Sequence, residues 1–435
     1  MNMNSNQANS ATRLLIAAVI LYILILDTDI IGNYAVLILL IPVMFCKRIS
    51  FKLLSMEKII ICFVLYSLII TIINHNRVHD FGNAINLLIE YSIIILSCHF
   101  FVNNCNHEKT LNGIRIFGFV IGLFGIIESL TGFPILHYLL TKSYDVQTFG
   151  SGFGVYRINS IFGRPIIYGT VLSFFWLIQL LYPCKSKKIN IIFHIVFISN
   201  ILLNRSRSAW IAIIVMGIFL YFKVRTHKIN TKYVWYGCGI LFLVLLLKVF
   251  GIDIIESIIN SISNRISGTL EAGTGQIVRI ETMLSCIKYW FKEGNILDFI
   301  FGAGKNFSNS FMLSHPVIKG EWRWDGCVDN QYFTLVLDVG IIGLLCFLLA
   351  LVLAIKNISK CKKTDTLKLF SNIALIGISV CIFFYEGFNY PLIFWLYTYI
   401  LMLIDFSNKN NHHNRNIYRE KNAFKNRISV MKRQE

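Results

Sequence analysis

The chain has 435 residues, of which 55% are hydrophobic, 14% aromatic and only 15% charged, with a formal net charge of +18 and a mean hydropathy of +0.63. Soluble domains run at roughly 45–50% apolar and about 25% charged, so a soluble globular fold is excluded. The apolar residues gather in runs of about 14–24, the length at which a helix crosses about 30 Å of hydrocarbon. The chain therefore reads as an all-α polytopic membrane protein.

In chain order, the opening MNMNSNQANSATR has one arginine and no small-residue cleavage site, and reads as a short tail rather than a signal peptide. About twelve crossings follow: 11–27, 30–46, 59–73, 81–102, 111–131, 165–182, 189–203, 209–222, 233–251, 331–354, 369–386 and 391–405. The first two are joined only by Thr28 and Asp29, and a re-entrant hairpin is the alternative there. The domain plan is nine helices over 1–251, an extracytoplasmic loop over 252–330, three helices over 331–405 and a basic tail over 406–435. No internal repeat is visible.

Lys and Arg collect on the cytoplasmic side of membrane proteins. Alternate loops carry KRISFKLLSMEK (47–58), KSKK (185–188), KVRTHKINTK (223–232) and KNISKCKKTDTLK (356–368), and eight more basic residues follow position 405. Placing this set inside makes both termini cytoplasmic and explains most of the positive charge, with no nucleic acid as partner. Arg157, Arg164, Arg205, Arg207, Arg265, Arg279 and Arg323 then fall on the outer side, against the rule, and need another cause.

Two outer segments are long, 132–164 and 252–330. The first ends in GSGFGVYRINSIFGRP (150–165), whose glycines lack the GK[ST] of a phosphate loop and read as a close-packed turn. The second holds IVRIETMLSCIKYWFK (277–292), with apolar residues at 277, 280, 284, 287 and 291, the pattern of a helix lying at the membrane interface. Of eleven cysteines, Cys286 and Cys327 alone fall in a long polar loop, as either a disulfide or two free thiols. No His/Cys or acidic grouping has metal spacing, and neither a metal nor any other cofactor is expected.

Four stretches carry a resemblance: RINSIFGRPIIYG (157–169), LLNRSRSAWIA (202–212), the R…W…IFGAG segment (279–304) and DNQYFTLVLDVGIIGLL (329–345). In order and spacing, over about two thirds of the chain, they resemble the O-antigen polymerase and O-antigen ligase superfamily of bacterial surface-polysaccharide assembly. The resemblance implies a GT-C-like membrane glycosyltransferase in the bacterial cytoplasmic (inner) membrane. Its substrate would be a polyprenyl-diphosphate-linked oligosaccharide used at the outer face. Other partners would be membrane lipid, a chain-length regulator and a flippase.

This chemistry gives the outer arginines a purpose. Arginine pairs bidentately with phosphate oxygens and stays charged, and charge grows on the pyrophosphate as the anomeric C–O bond breaks. Arg205, Arg207 and Arg279 are the expected pyrophosphate ligands, with Arg157 and Arg164 assisting. The plain alternative is snorkelling to lipid headgroups, and Arg265 and Arg323 read as loop residues. Asp329 is the candidate general base, or else a helix N-cap. Asn330 and Tyr332 are candidate substrate contacts. Asp145, Glu281, Glu321 and Asp325 are weaker carboxylates, Trp322 and Trp324 could stack on sugars, and Glu386 reads as a helix-end residue. Ligases of the superfamily carry a histidine near Asp329; here the sequence is Val328-Asp329-Asn330, and the nearest outer histidine is His315. That departure favours a polymerase over a ligase. A flippase or transporter, the reading from another class, lacks the expected two-fold repeat.

Overall fold

The computed structural model describes residues 5–25, 32–44, 53–141, 157–225, 274–293, 295–319, 322–361 and 365–408. The crossing expected at 233–251, the Thr28–Asp29 joint, Asp145, Arg265, Glu321 and the tail beyond 408 lie outside these residues. In chain order come α1 (Ser5–Ile25), a 3₁₀ segment (Gly32–Leu40) running into α2 (Ile41–Met44), α3 (Ser55–Ile73), α4 (Phe81–Asn104), α5 (His107–Thr131) and α6 (Ile135–Thr141). Then follow α7 (Pro165–Leu181), α8 (Lys187–Asn204), α9 (Arg207–Arg225), α10 (Thr274–Phe291), α11 (Ile296–Phe301) and α12 (Phe307–Ser314). The chain closes with α13 (Gln331–Lys360), α14 (Thr366–Ile382) and α15 (Pro391–Asn408).

Local chemistry sets the helix ends. Asp80 and Asn106 cap α4 and α5, each accepting at 3.1 Å from the amide three residues on and so satisfying donors a first turn leaves unpaired. α5 stops at Gly132, whose φ of +66° is the left-handed cap conformation. Pro165 opens α7, where no amide is needed.

Among the described residues six helices, α3, α4, α5, α8, α13 and α15, are long and apolar enough to cross a membrane, and Thr12–Leu24, Pro165–Leu181 and Thr366–Ile382 are shorter apolar helices. The segment expected to cross at 30–46 is instead a 3₁₀ turn series passing into four α-helical residues over 32–44. It keeps its apolar composition without α-helical length. α15 is 78% buried over its apolar window and α3 only 33%, so α15 lies at the centre and α3 at the rim. α14 packs between α9 and α13 and also against α7. The only strands among the described residues are an antiparallel pair, Val317–Lys319 with Trp322–Trp324, registered with Val317 opposite Trp324.

Successive helices alternate in direction and leave two distinct ends. At one, Met56 N donates to Asp405 Oδ2 at 2.5 Å, Asn106 N to Thr12 Oγ1 at 3.0 Å, and Lys223 Nζ to the Ser359 carbonyl at 3.1 Å. The basic segments 185–188 and 356–361 belong to this end. The other end gathers the connections 74–80, 157–164, 205–206, 302–319, 322–330 and 383–390, and with them the expected site arginines.

Candidate functional site

The corner between α8 and α9 is built on Asn204. This residue is fully buried, and its Nδ2 donates to the carbonyls of Ile158 and Pro165, both at 2.8 Å. RINSIFGRP is thereby fastened onto NRSRS, and Arg157 Nε reinforces the join by donating to the Asn204 carbonyl at 3.3 Å. From the other side Glu128, near the end of α5 and 2% exposed, accepts from the amides of Asn159 and Ser160 at 2.9 and 2.8 Å. A Cβ on Gly169 would lie 2.7 Å from Asn204 Oδ1 and 2.8 Å from Ser206 Cβ, so this glycine sets how closely α7 approaches the corner.

Arg205 sits at the turn itself in the left-handed conformation, φ 54° and ψ 28°, its amide directed to the Leu202 carbonyl at 3.2 Å. Arg207 opens α9 two residues on. The Arg205 side chain is half-buried, has no carboxylate or hydrogen-bonding partner among the described residues, and burial lowers its pKa. A cation desolvated without a counter-charge is an anion site in waiting.

The second pair of quoted stretches also meets. Gly340 breaks α13 with φ 67° and ψ −177°, and the carbonyls of Leu337 and Asp338 accept instead from the amides of Ala303 and Gly304, both at 2.9 Å. IFGAG is thus docked on LDVG. Behind it Lys305, fully desolvated, reaches Asp338 Oδ2 at 3.2 Å and Asn389 Oδ1 at 2.7 Å, while Asp338 accepts from the amides of Asn306 and Ser308 at 3.2 and 2.9 Å. The nearby negative groups outweigh desolvation and push the Lys305 pKa up.

Between these two assemblies stands the turn before α13. The helix cap is Asn330, whose Oδ1 accepts from Tyr332 N and Phe333 N at 2.9 and 3.3 Å. Asp329 is therefore not the cap; it adopts φ 56° and directs its carboxylate to Arg279 Nε at 3.4 Å, both side chains about a quarter exposed. Cys327 Sγ donates to Asp329 Oδ1 at 3.1 Å. Cys327 and Cys286 are both free thiols, the latter buried on α10. Tyr332 turns to α14, its hydroxyl donating to the Ser379 carbonyl at 3.1 Å. Asn330 is fully buried and Tyr332 half-buried, so neither faces the open end as freely as Asp329 does.

The connection 383–390 bridges the two assemblies. Arg164 Nη1 donates to the Tyr390 hydroxyl, and its guanidinium lies 5.2 Å from the centre of the Tyr390 ring. Tyr390 in turn feels the charges of Glu386 and Asp329. Glu386 is buried and accepts from Val328 N at 2.8 Å, Thr334 Oγ1 at 3.0 Å and Asn389 Nδ2 at 2.6 Å. Burial, first, pushes its pKa up to about 7. Sequence reading treated Glu386 as a helix end and passed over Lys305 and Asp338. The signal available was their being charged inside otherwise apolar surroundings.

Arg157, Arg164, Arg205, Arg207, Arg279 and Asp329 thus share one end of the bundle, Arg164 meets Tyr390, and Arg279 meets Asp329. Glu281 lies on the same helix as Arg279, while Asp325 pairs with Arg323 on the surface at 2.9 Å. Among the described residues no three His, Cys, Asp or Glu side chains are placed to share a metal ion. No protein-family model and no curated protein matches the chain.

Proposed function

We propose that the protein is an O-antigen or capsular-repeat polymerase of the bacterial cytoplasmic membrane, with about twelve crossings, a GT-C-like architecture and both termini cytoplasmic. It moves a growing glycan from one polyprenyl diphosphate onto the terminal sugar of a second lipid-linked repeat and releases polyprenyl diphosphate. The observation that carries this reading is Arg205: a desolvated guanidinium without a counter-charge among the described residues, held at a helix corner on the end away from the basic loops. Arg207 and Arg157 stand beside it, and Arg164 and Arg279 are joined to the same end through Tyr390 and Asp329.

In this mechanism Arg205, Arg207 and Arg279 hold the donor pyrophosphate and stabilise the charge that builds as the sugar departs. Asp329, freed from capping by Asn330, takes the proton of the acceptor hydroxyl, and Arg279 orients its carboxylate. The test is purified protein given only lipid-linked repeat, without nucleotide or lipid A core. A ladder of longer chains on polyprenyl diphosphate supports the polymerase. A deletion strain that accumulates full-length polymer with bare core at the surface means a ligase, and a reporter fused after residue 300 that proves cytoplasmic removes the site from the outer face altogether.

A further inference from the structure

The carboxylate of Glu386 does not face the open end, yet it joins the 328–330 turn, α13 and the 383–390 connection. Its three donors come from three places: Val328 N from the turn that carries Asp329, Thr334 Oγ1 from the first turn of α13, and Asn389 Nδ2 from its own connection. Asn389 can bind in only one orientation. Lys305 is a donor alone, so it takes the amide oxygen at 2.7 Å, which leaves the NH₂ for Glu386. The chain of contacts therefore runs Val328–Glu386–Asn389–Lys305–Asp338, and Asp338 holds the amides of 306 and 308.

We propose that Glu386 is the positioning residue of this site: its carboxylate fixes the 328–330 turn so that Asp329 is presented to Arg279, and Asn389 and Lys305 tie that turn to the glycine-rich 302–308 segment. Its effect on the reaction rests on the polymerase reading; its effect on the turn does not.

The neutral form is accommodated as well as the charged one: a proton on Oε1 points to the Thr334 hydroxyl, which then donates to the Asn330 carbonyl at 3.1 Å, while Val328 N and Asn389 Nδ2 keep their acceptors. The groups that bear on this balance are Lys305 from the 302–306 segment, Asp338 from α13, Cys327 and Asp329 from the turn, Tyr390 from the same connection and Cys286 from α10. Lys305 favours the charge; burial and Asp338 oppose it, and the group titrates near pH 7. A carboxyl in the held turn keeps its proton up to about pH 7, whereas a loosened, hydrated one releases it lower, so the turn is held most firmly below that pH and the hold weakens as pH rises through it.

The experiment is amide hydrogen exchange on peptides covering 327–334, corrected for intrinsic rates, with the full chain in lipid nanodiscs from pH 5.5 to 8.5. Wild-type protection should fall as pH rises through about 7. Glu386→Gln keeps an oxygen for Val328 and Thr334 but puts a donor opposite Asn389, so its protection should be flat with pH and on the order of tenfold lower than wild type at pH 5.5. Asn389→Ala, which removes the donor to Glu386 without adding a second titratable group, should lower protection throughout the range. A wild-type profile that is flat, needing no variant at all, overturns the proposal, as does Glu386→Gln protein that titrates like wild type. If protection titrates as described but no ladder forms from lipid-linked repeat, the positioning role stands and the polymerase reading falls.

Discussion

The crossing of 300–304 over the α13 break is the tightest backbone contact at the functional end, and its energetic weight can be worked out from one methyl group. A Cβ on Gly340 would lie 2.2 Å from the Ile300 carbonyl oxygen and 2.6 Å from the carbonyl carbons of Ile300 and Phe301. These are backbone atoms and cannot rotate aside. The φ of 67° with ψ of −177° belongs to a region nearly reserved for glycine, where another residue costs about 1–3 kcal/mol, and overpacking adds about 1–3 kcal/mol. Gly340→Ala should thus destabilise the chain by about 2–6 kcal/mol. Two controls separate the causes. Gly132 has φ +66° but nothing within 4 Å of its Cβ position, so Gly132→Ala carries only the left-handed penalty of about 1–2 kcal/mol. Gly217 in α9 also has open space and no unusual φ, so Gly217→Ala should raise stability by up to about 1 kcal/mol. Thermal unfolding of the detergent-purified variants, followed by tryptophan fluorescence, should rank them 217, wild type, 132, 340 from highest to lowest melting point. Gly340→Ala melting at or above Gly132→Ala would refute the docking of IFGAG on LDVG.

Arg205→Ala should abolish long polysaccharide while leaving the membrane level of the protein unchanged. Arg205→Lys, which keeps charge but loses the planar fork, should restore part of it; wild-type chain length from the alanine variant would reduce Arg205 to a snorkelling residue. Glu128→Gln keeps one acceptor oxygen for the amides of Asn159 and Ser160 and loses the other together with its charge, a loss of roughly 1.5–3 kcal/mol for a charge-assisted bond. It should lower the melting point and open the 157–164 segment to protease, and an unchanged digestion pattern would show that the segment is held by Asn204 alone.

The helices were legible because each crossing has to satisfy its backbone within itself and be apolar for its whole length, which marks it in the sequence without reference to any neighbour. Ten of the expected spans therefore reappear as helices with ends within about six residues, from 5–25 for the expected 11–27 to 391–408 for the expected 391–405, and six of the ten are long and apolar enough to cross. The order of the four quoted stretches was legible too, but not their pairing: Asn204 with Ile158 and Pro165, and Gly302 with Gly340, are contacts across 38 or more residues. The roles of Glu386, Lys305 and Asp338 were invisible for the same reason. A charged residue at a helix end looks alike whether it faces solvent or accepts three hydrogen bonds inside, and only the donors distinguish the two.

The helix expected at 277–292 shows the limit of periodicity most clearly. Its apolar stripe was correct as a stripe, yet Ile280, Leu284, Ile287 and Phe291 are 57%, 48%, 42% and 57% exposed, while Thr282, Cys286, Tyr289 and Trp290 are buried. A helix in water buries its apolar face. Here the mixed face carries the specific contacts: Thr282 Oγ1 donates to the Val328 carbonyl at 3.3 Å, and the Trp290 ring stacks on Phe333 with centroids 6.0 Å apart. The outward face continues into α11 through Ile296 at 50% and Leu297 at 70% exposed. In water each such side chain would forgo up to about 1.5–3 kcal/mol of burial, which an acyl environment returns. The buried side of α10 is therefore committed to the turn of Asp329, the exposed apolar side suits a bilayer surface, and Arg279 stands on the boundary between them.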